Sequence, residues 1–151
     1  MGRVRENIQV NGKKCWTLFD SGARKTYVVP AVASLLVKTK LPKTLRSGLG
    51  GKVKKASETA ILIAKVQGHD ISTNALVIDE IGKDEEGNLI EVLFGALAMQ
   101  EWGIRPVPDE ERLDLTHYPK EFVEFMEESH PRPFLQEQFL LLFDPSVNGY
   151  D

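Results

Sequence analysis

An aspartate placed at the end of an apolar run constrains this chain more than any other feature. Cys15-Trp16-Thr17-Leu18-Phe19 has the composition of a strand, and Asp20-Ser21-Gly22-Ala23 follows it directly. A carboxylate at a buried strand end is unfavourable unless something satisfies or uses it. Upstream, Val4, Ile8 and Val10 alternate with polar residues and end at Asn11-Gly12. That dipeptide is a strong signal for a two-residue hairpin turn. The opening is therefore expected to be a β-hairpin whose second strand delivers Asp20 into a turn.

Short β-prone runs continue after it. Thr26-Tyr27-Val28-Val29 is one, and Pro30 then starts a helical turn over 31–36. Residues 38–55 are basic and glycine-rich, with Ser47-Gly48-Leu49-Gly50-Gly51-Lys52 at their centre, and suggest a hairpin with an easily bent tip. A long strand is expected from Ala56 to Gln67, a turn at Gly68-His69, and a returning strand from Ile71 to Ile78. Residues 82–88 form a charged loop. Ile90 to Phe94 is a strand ending at Gly95, and Ala96 to Trp102 is a short helix closed by Gly103. Residues 104–108 are extended, and Leu113-Asp114-Leu115 suggests one more strand. Many short strands with regular turns and two short helices indicate a small, mostly β barrel or sandwich over residues 1–108. Residues 109–151 form an extension of different character. Pro119 opens an amphipathic helix to about residue 128, and an apolar segment follows from Phe134 to Phe143. No internal repeat is present.

Composition narrows the function classes. The 42% hydrophobic content supports a core. No apolar run reaches the roughly 18 residues of a membrane span, and the first residues lack the apolar centre of a secretory signal. Gly2 is not followed by the hydroxyl residue that myristoylation needs at position 6, which is Glu6. The lone Cys15 lies in the apolar strand and is expected to be core packing in a reducing, cytoplasmic setting. Residues 1–60 carry 13 Lys and Arg against Glu6, Asp20 and Glu58, whereas residues 61–151 carry 6 against 19 Asp and Glu. Two readings follow. The preferred one is a pair of solvated faces that attract each other within the fold or between subunits. The other is a basic half that meets an acidic ligand.

The linear order of these features resembles the retropepsin-like aspartic proteases. Asp20-Ser21-Gly22-Ala23 matches that family's Asp-Thr/Ser-Gly-Ala motif, and Leu93-Phe94-Gly95 before a helix matches its second mark of two apolar residues and a glycine. Gly48, Leu49, Gly50, Gly51 and Lys52 fall where the family keeps its flap. The resemblance covers about residues 3–108. It implies a closed acid-protease barrel and an aspartic endopeptidase, with Asp20 as the catalytic acid. Ser21, Gly22 and Ala23 would support the loop: Ser21 by bracing the partner loop, Gly22 by allowing close backbone approach, and Ala23 by leaving room for substrate. Two carboxyls within hydrogen-bonding distance share a proton and supply both the base and the acid of peptide hydrolysis. The chain has one such motif, so the resemblance implies a homodimer with Asp20 from each copy, a polypeptide substrate and no cofactor. Asp70, Asp79 and Asp114 are the other acids weighed as partners within the chain, and none sits in such a turn. The family usually has a small hydroxyl residue after its alanine, where this chain has Arg24-Lys25-Thr26. The rival expectation is a non-catalytic dimerisation or peptide-binding module on the same fold.

Other patterns fail on spacing. Gly50-Gly51-Lys52 resembles a phosphate loop, but the positions that need Gly and Ser/Thr hold Arg46 and Val53. His69, His117 and His130 lack ligand spacing, so no metal is expected. Trp16 is assigned to packing. Lys52, Lys54 and Lys55 are expected at a solvated strand edge, and without interleaved aromatics nucleic-acid binding is not expected.

Overall fold

In the computed structural model, residues 2–120 are described. The order is β1 (Arg3–Val10), β2 (Lys13–Asp20), β3 (Tyr27–Val28), α1 (Pro30–Ala33), β4 (Val37–Leu49), β5 (Lys52–Val66), β6 (His69–Val77), β7 (Gly82–Lys83), β8 (Leu89–Ile90), β9 (Val92–Phe94), α2 (Ala96–Trp102), β10 (Arg105–Val107) and β11 (Arg112–Asp114). A short 3-10 turn, Pro108–Glu110, joins the last two strands. Seven strands form one sheet in the order β1-β2-β9-β3-β6-β5-β4. Gln9 of β1 also pairs with Lys65 of β5, which closes the sheet into a barrel and leaves β4 outside it on β5.

The first hairpin forms as its sequence requires. Asn11 and Gly12 both take positive φ, 52° and 81°, and Val10 pairs with Lys13 across them. From there the ladder runs down to Arg3 opposite Asp20, so strand length sets where the acid emerges.

The topology around β9 positions the site. β9 runs parallel to β2 on one side and antiparallel to β3 on the other. The connection from β2 to β3, residues 21–26, must therefore pass over the end of β9. The three strands are buried on both faces. Phe19, Val28, Val92 and Phe94 enter the main core with Ile8, Val10, Leu62, Val66 and Ile71. Their neighbours Leu18, Tyr27 and Leu93 face a second cluster with Ala56, Ile78 and Ile90. Alternation sends successive side chains to opposite faces. This double burial explains why Leu18-Phe19 and Val92 to Phe94 are apolar at successive positions rather than alternating.

β5 differs from its expected form. The hairpin arm and the long strand are one continuous strand of 15 residues. Its first part pairs with β4 alone, residues 58–61 with both β4 and β6, and residues 62–66 with β6. Ala56, Ala60, Leu62, Ala64 and Val66 face inward at alternate positions. The charged loop at 82–88 also has more order than expected. Asp84 accepts backbone hydrogen bonds from Glu86 (2.9 Å) and Asn88 (2.8 Å), folding β7 onto β8. Its other oxygen accepts from the Trp16 indole at 2.9 Å. Those hydrogen bonds hold the Asp84 carboxyl below its usual range, against a desolvation effect that raises it. Helix α1 stops at Ala33, shorter than the expected 31–36. Lys54 does not lie at a solvated edge. Its side chain is 12% exposed and meets Asp79 at 3.7 Å and Glu80 at 3.9 Å.

The first compact unit is Met1–Tyr118. Within it β10 pairs with β11, and Leu113 reaches the main core. The helix expected at 119–128, apart from residues 119 and 120, and the apolar segment at 134–143 lie outside the described residues.

Candidate functional site

Asp20 is the last residue of β2 and is 5% exposed. One carboxylate oxygen, Oδ1, accepts a hydrogen bond from the Gly22 backbone at 2.8 Å, which tightens the turn into the local form typical of Asp. The other, Oδ2, lies 3.2 Å from Nε of Arg3, its cross-strand neighbour. The carboxylate that looked unfavourable from sequence is thus satisfied on both oxygens from within the first hairpin and its turn.

The loop beyond Asp20 is fixed by the end of β9. Ala96 and Leu97, the first residues of α2, donate their backbone N–H groups to the carbonyls of Ala23 (2.7 Å) and Arg24 (3.2 Å). Gly95 donates its N–H to Oγ1 of the buried Thr26 at 3.0 Å. A Cβ at position 95 would stand 2.2 Å from the Lys25 carbonyl oxygen and 2.6 Å from its carbon. Only glycine leaves room for this crossing. Beneath it, Phe19 and Phe94 pack with ring centroids 5.0 Å apart.

The β4–β5 hairpin is the second wall. Leu49 pairs with Lys52, leaving Gly50 and Gly51 as a two-residue turn with φ of 62° and 80°. Both positive angles suit glycine, as hairpin turns of this kind require. The arm lies against the Asp20 loop. Asp20, Gly22, Ala23, Tyr27, Leu45, Ser47, Gly48, Leu49 and Gly50 line a common cleft of about 530 Å³. Tyr27, the first residue of β3, meets Ser47 of the hairpin through their hydroxyls.

The expected site residues therefore fall into three groups. Asp20, Gly22, Ala23, Gly48, Leu49 and Gly50 line the cleft. Leu93, Phe94 and Gly95 lie behind the loop and support it. Gly51, Lys52 and Ser21 are not among its walls. Ser21 faces Gly2 of the same chain, accepting the Gly2 N–H on Oγ at 2.7 Å and donating its own backbone N–H to the Gly2 carbonyl at 2.9 Å. Two contributors carry no motif of their own: Thr26 lies within a β-prone run, and Arg3 is one of the polar residues that alternate with Val4, Ile8 and Val10. The hairpin register, countable from Asn11-Gly12, would have placed Arg3 opposite Asp20.

Within the described residues the cleft has one acid, Asp20. Asp70 pairs with Lys65 at 2.7 Å, Asp79 with Lys54 at 3.7 Å, and Asp114 accepts the Thr116 backbone N–H at 2.8 Å. No group of three or more His, Cys, Asp or Glu side chains among the described residues is placed to hold a metal ion. Cys15 is buried, and its thiol is pushed up to about 11, first by burial and then by Glu91.

No protein-family model and no curated protein sequence matches this chain. Solved structures do match. The retroviral protease-like domain of Ddi1 from Leishmania major superposes with a TM-score of 0.53 at 13% identity, over 77% of this chain and 90% of that one. The EIAV protease in complex with the inhibitor HBY-793 gives a TM-score of 0.48 at 20% identity, over 70% of this chain and 92% of that one. The simian foamy virus (mac) protease gives 0.44 at 18%, over 68% and 99%. The fold is retropepsin-like, as the sequence motifs imply.

Proposed function

We propose that this protein is an aspartic endopeptidase whose catalytic pair is Asp20 from each of two copies in a two-fold dimer. The observation that supports this most is the shared cleft, in which a buried strand-end aspartate faces a glycine-turned hairpin. A single carboxyl cannot be base and acid at once, and the cleft holds a single acid within one described chain. A second copy of the same loop is the economical source of the other. In the reaction, the ionised carboxyl takes a proton from water as the water oxygen attacks the peptide carbonyl. The protonated carboxyl gives its proton to the carbonyl oxygen. When the tetrahedral gem-diol collapses, the carboxyl that took the water proton gives it to the leaving nitrogen as the C–N bond breaks, and the other carboxylate takes a proton from a gem-diol hydroxyl, which restores the starting pair. The β4–β5 hairpin would lie over an extended peptide and keep water out.

One observation favours a second reading, a dimerisation or peptide-binding module without catalysis. Arg3 already engages Oδ2 of Asp20. That contact occupies the oxygen a second carboxyl would need to approach. The same experiment decides between them. The full chain is incubated with a mixed peptide library across acidic to neutral pH, and products are read by mass spectrometry. Cleavage by the wild type, lost on Asp20→Asn while sedimentation still shows a dimer, supports the peptidase. An inactive wild-type dimer supports the module. A cleaving monomer rules out the shared pair.

A further inference from the structure

The walls of the Asp20 cleft carry more positive charge than this acidic chain leads one to expect. The chain has 19 Lys and Arg against 22 Asp and Glu. The cleft has Arg3, Arg24, Lys25 and Arg46 against Asp20 alone. Arg3 is engaged by Asp20. Among the described residues, Arg24, Lys25 and Arg46 make no ion pair, whereas Arg5, Lys54, Lys65 and Arg112 each meet an acid.

These three cations converge from separate elements. Arg24 and Lys25 stand on the crossing loop, and Arg46 on β4, opposite Lys55. The main chain under the first two is held still, because the Arg24 carbonyl caps Leu97 and the Lys25 carbonyl packs on Gly95. Their side chains are exposed. Fixed backbones with free cationic ends form a preorganised positive rim around one carboxylate. Arg24 and Lys25 also border a second hollow of about 500 Å³, whose one acid is Glu101.

We infer that the cleft selects extended peptides with acidic side chains flanking the central residues. This rests on the proposed function only in taking a peptide as the occupant, since binding selectivity stands without cleavage. Acidic residues belong on the flanks because Asp20 repels them at the centre. A peptide fits better than a nucleic acid for two reasons. Asp20 opposes a continuous line of phosphates, and the cleft's aromatic residue, Tyr27, is buried and so offers no face for stacking bases.

The test uses the full-length Asp20→Asn variant, which separates binding from turnover. Fluorescent peptides of one length, Glu-flanked, Gln-flanked and Lys-flanked, are titrated by anisotropy at low and high salt. The Glu-flanked peptide should bind roughly tenfold tighter than its Gln counterpart at low salt, with the gap closing at high salt. R24Q/K25Q/R46Q should erase the gap, and R46E alone should narrow it. K13Q, at the far end of the first hairpin, should leave it intact. Equal binding of Glu and Gln peptides overturns the inference, as does a gap that survives the triple variant in a folded protein. A single-stranded oligonucleotide that displaces the Glu peptide at lower concentration than the peptide itself also overturns it. Acid-selective binding by a wild type that cleaves nothing would leave this inference standing and remove the peptidase. Unselective cleavage would do the reverse.

Discussion

The crossing loop at residues 21–26 and the hairpin tip at residues 49–52 face the same cleft, and both depend on glycine for opposite reasons. Gly95, under the loop, has an ordinary φ of −92°, but there is no space for a side chain. Gly50 and Gly51, at the tip, have open space around them but positive φ. One site is limited by packing against backbone that cannot yield, the other by local conformation. The loop is also tied at Ala23, Arg24 and Thr26 to the start of α2. The tip is held by its own two-stranded ladder. The floor that holds the acid is thus set by tertiary contact, and the arm above it by its own hairpin. Next to them, β3 and β4 meet through the Tyr27 and Ser47 hydroxyls.

Breaking the floor should have the largest effect. Gly95→Ala must displace the Lys25 carbonyl and is expected to destabilise the protein by about 3 kcal/mol or more, measured by chemical denaturation. A soluble variant with an unchanged midpoint would show that the crossing is looser than described. Thr26→Val keeps the shape but leaves the Gly95 N–H without its acceptor. A loss of about 1–3 kcal/mol is expected, with Thr26→Ser restoring most of it. At the tip, Gly50→Ala meets no atom and is strained only by its positive φ, so roughly 1 kcal/mol is expected. That loss should appear as faster amide exchange near residues 45–56, with little change in the global midpoint. If Gly50→Ala matched Gly95→Ala, the contrast between packing and conformation would fail.

The smallest effect lies away from both regions. The Cys15 thiol ionises at about 11 in the fold against an ordinary value of 9.0. The folded state therefore prefers the neutral thiol. Its contribution is fully present below pH 9 and is lost as pH rises from about 9 to 11. The stability difference between wild type and Cys15→Ala should shrink across that interval, and native Cys15 should resist alkylation at pH 8.

Much of the barrel could be read in the chain. Asn11-Gly12 set the first hairpin and its register. Gly103 closes α2 where the apolar run ends, with φ of 66°. The Gly50-Gly51 turn was visible because positive φ is a local demand. Less visible was anything that depends on strands brought together from a distance. The continuity of β5 through residue 56 depends on a change of partner, since only β4 accompanies its start. The turn at residues 84–88 is local, but its attachment to the barrel through Trp16 and Asp84 is not. Lys54 looked like a solvated cation because Asp79 and Glu80 lie far along the chain.

By itself, the sequence determined where an acid would follow a strand, where the turns would fall and which runs would be buried. These are local matters of period, turn chemistry and hydrophobicity. Tertiary structure alone decided that β9 inserts between β2 and β3. That insertion requires glycine at 95 and gives Thr26 its role, and the pairing of β4 with β5 brings Arg46 to the cleft that Arg24 and Lys25 border. The first two outcomes rest on backbone approach between segments some seventy residues apart, which no local pattern encodes.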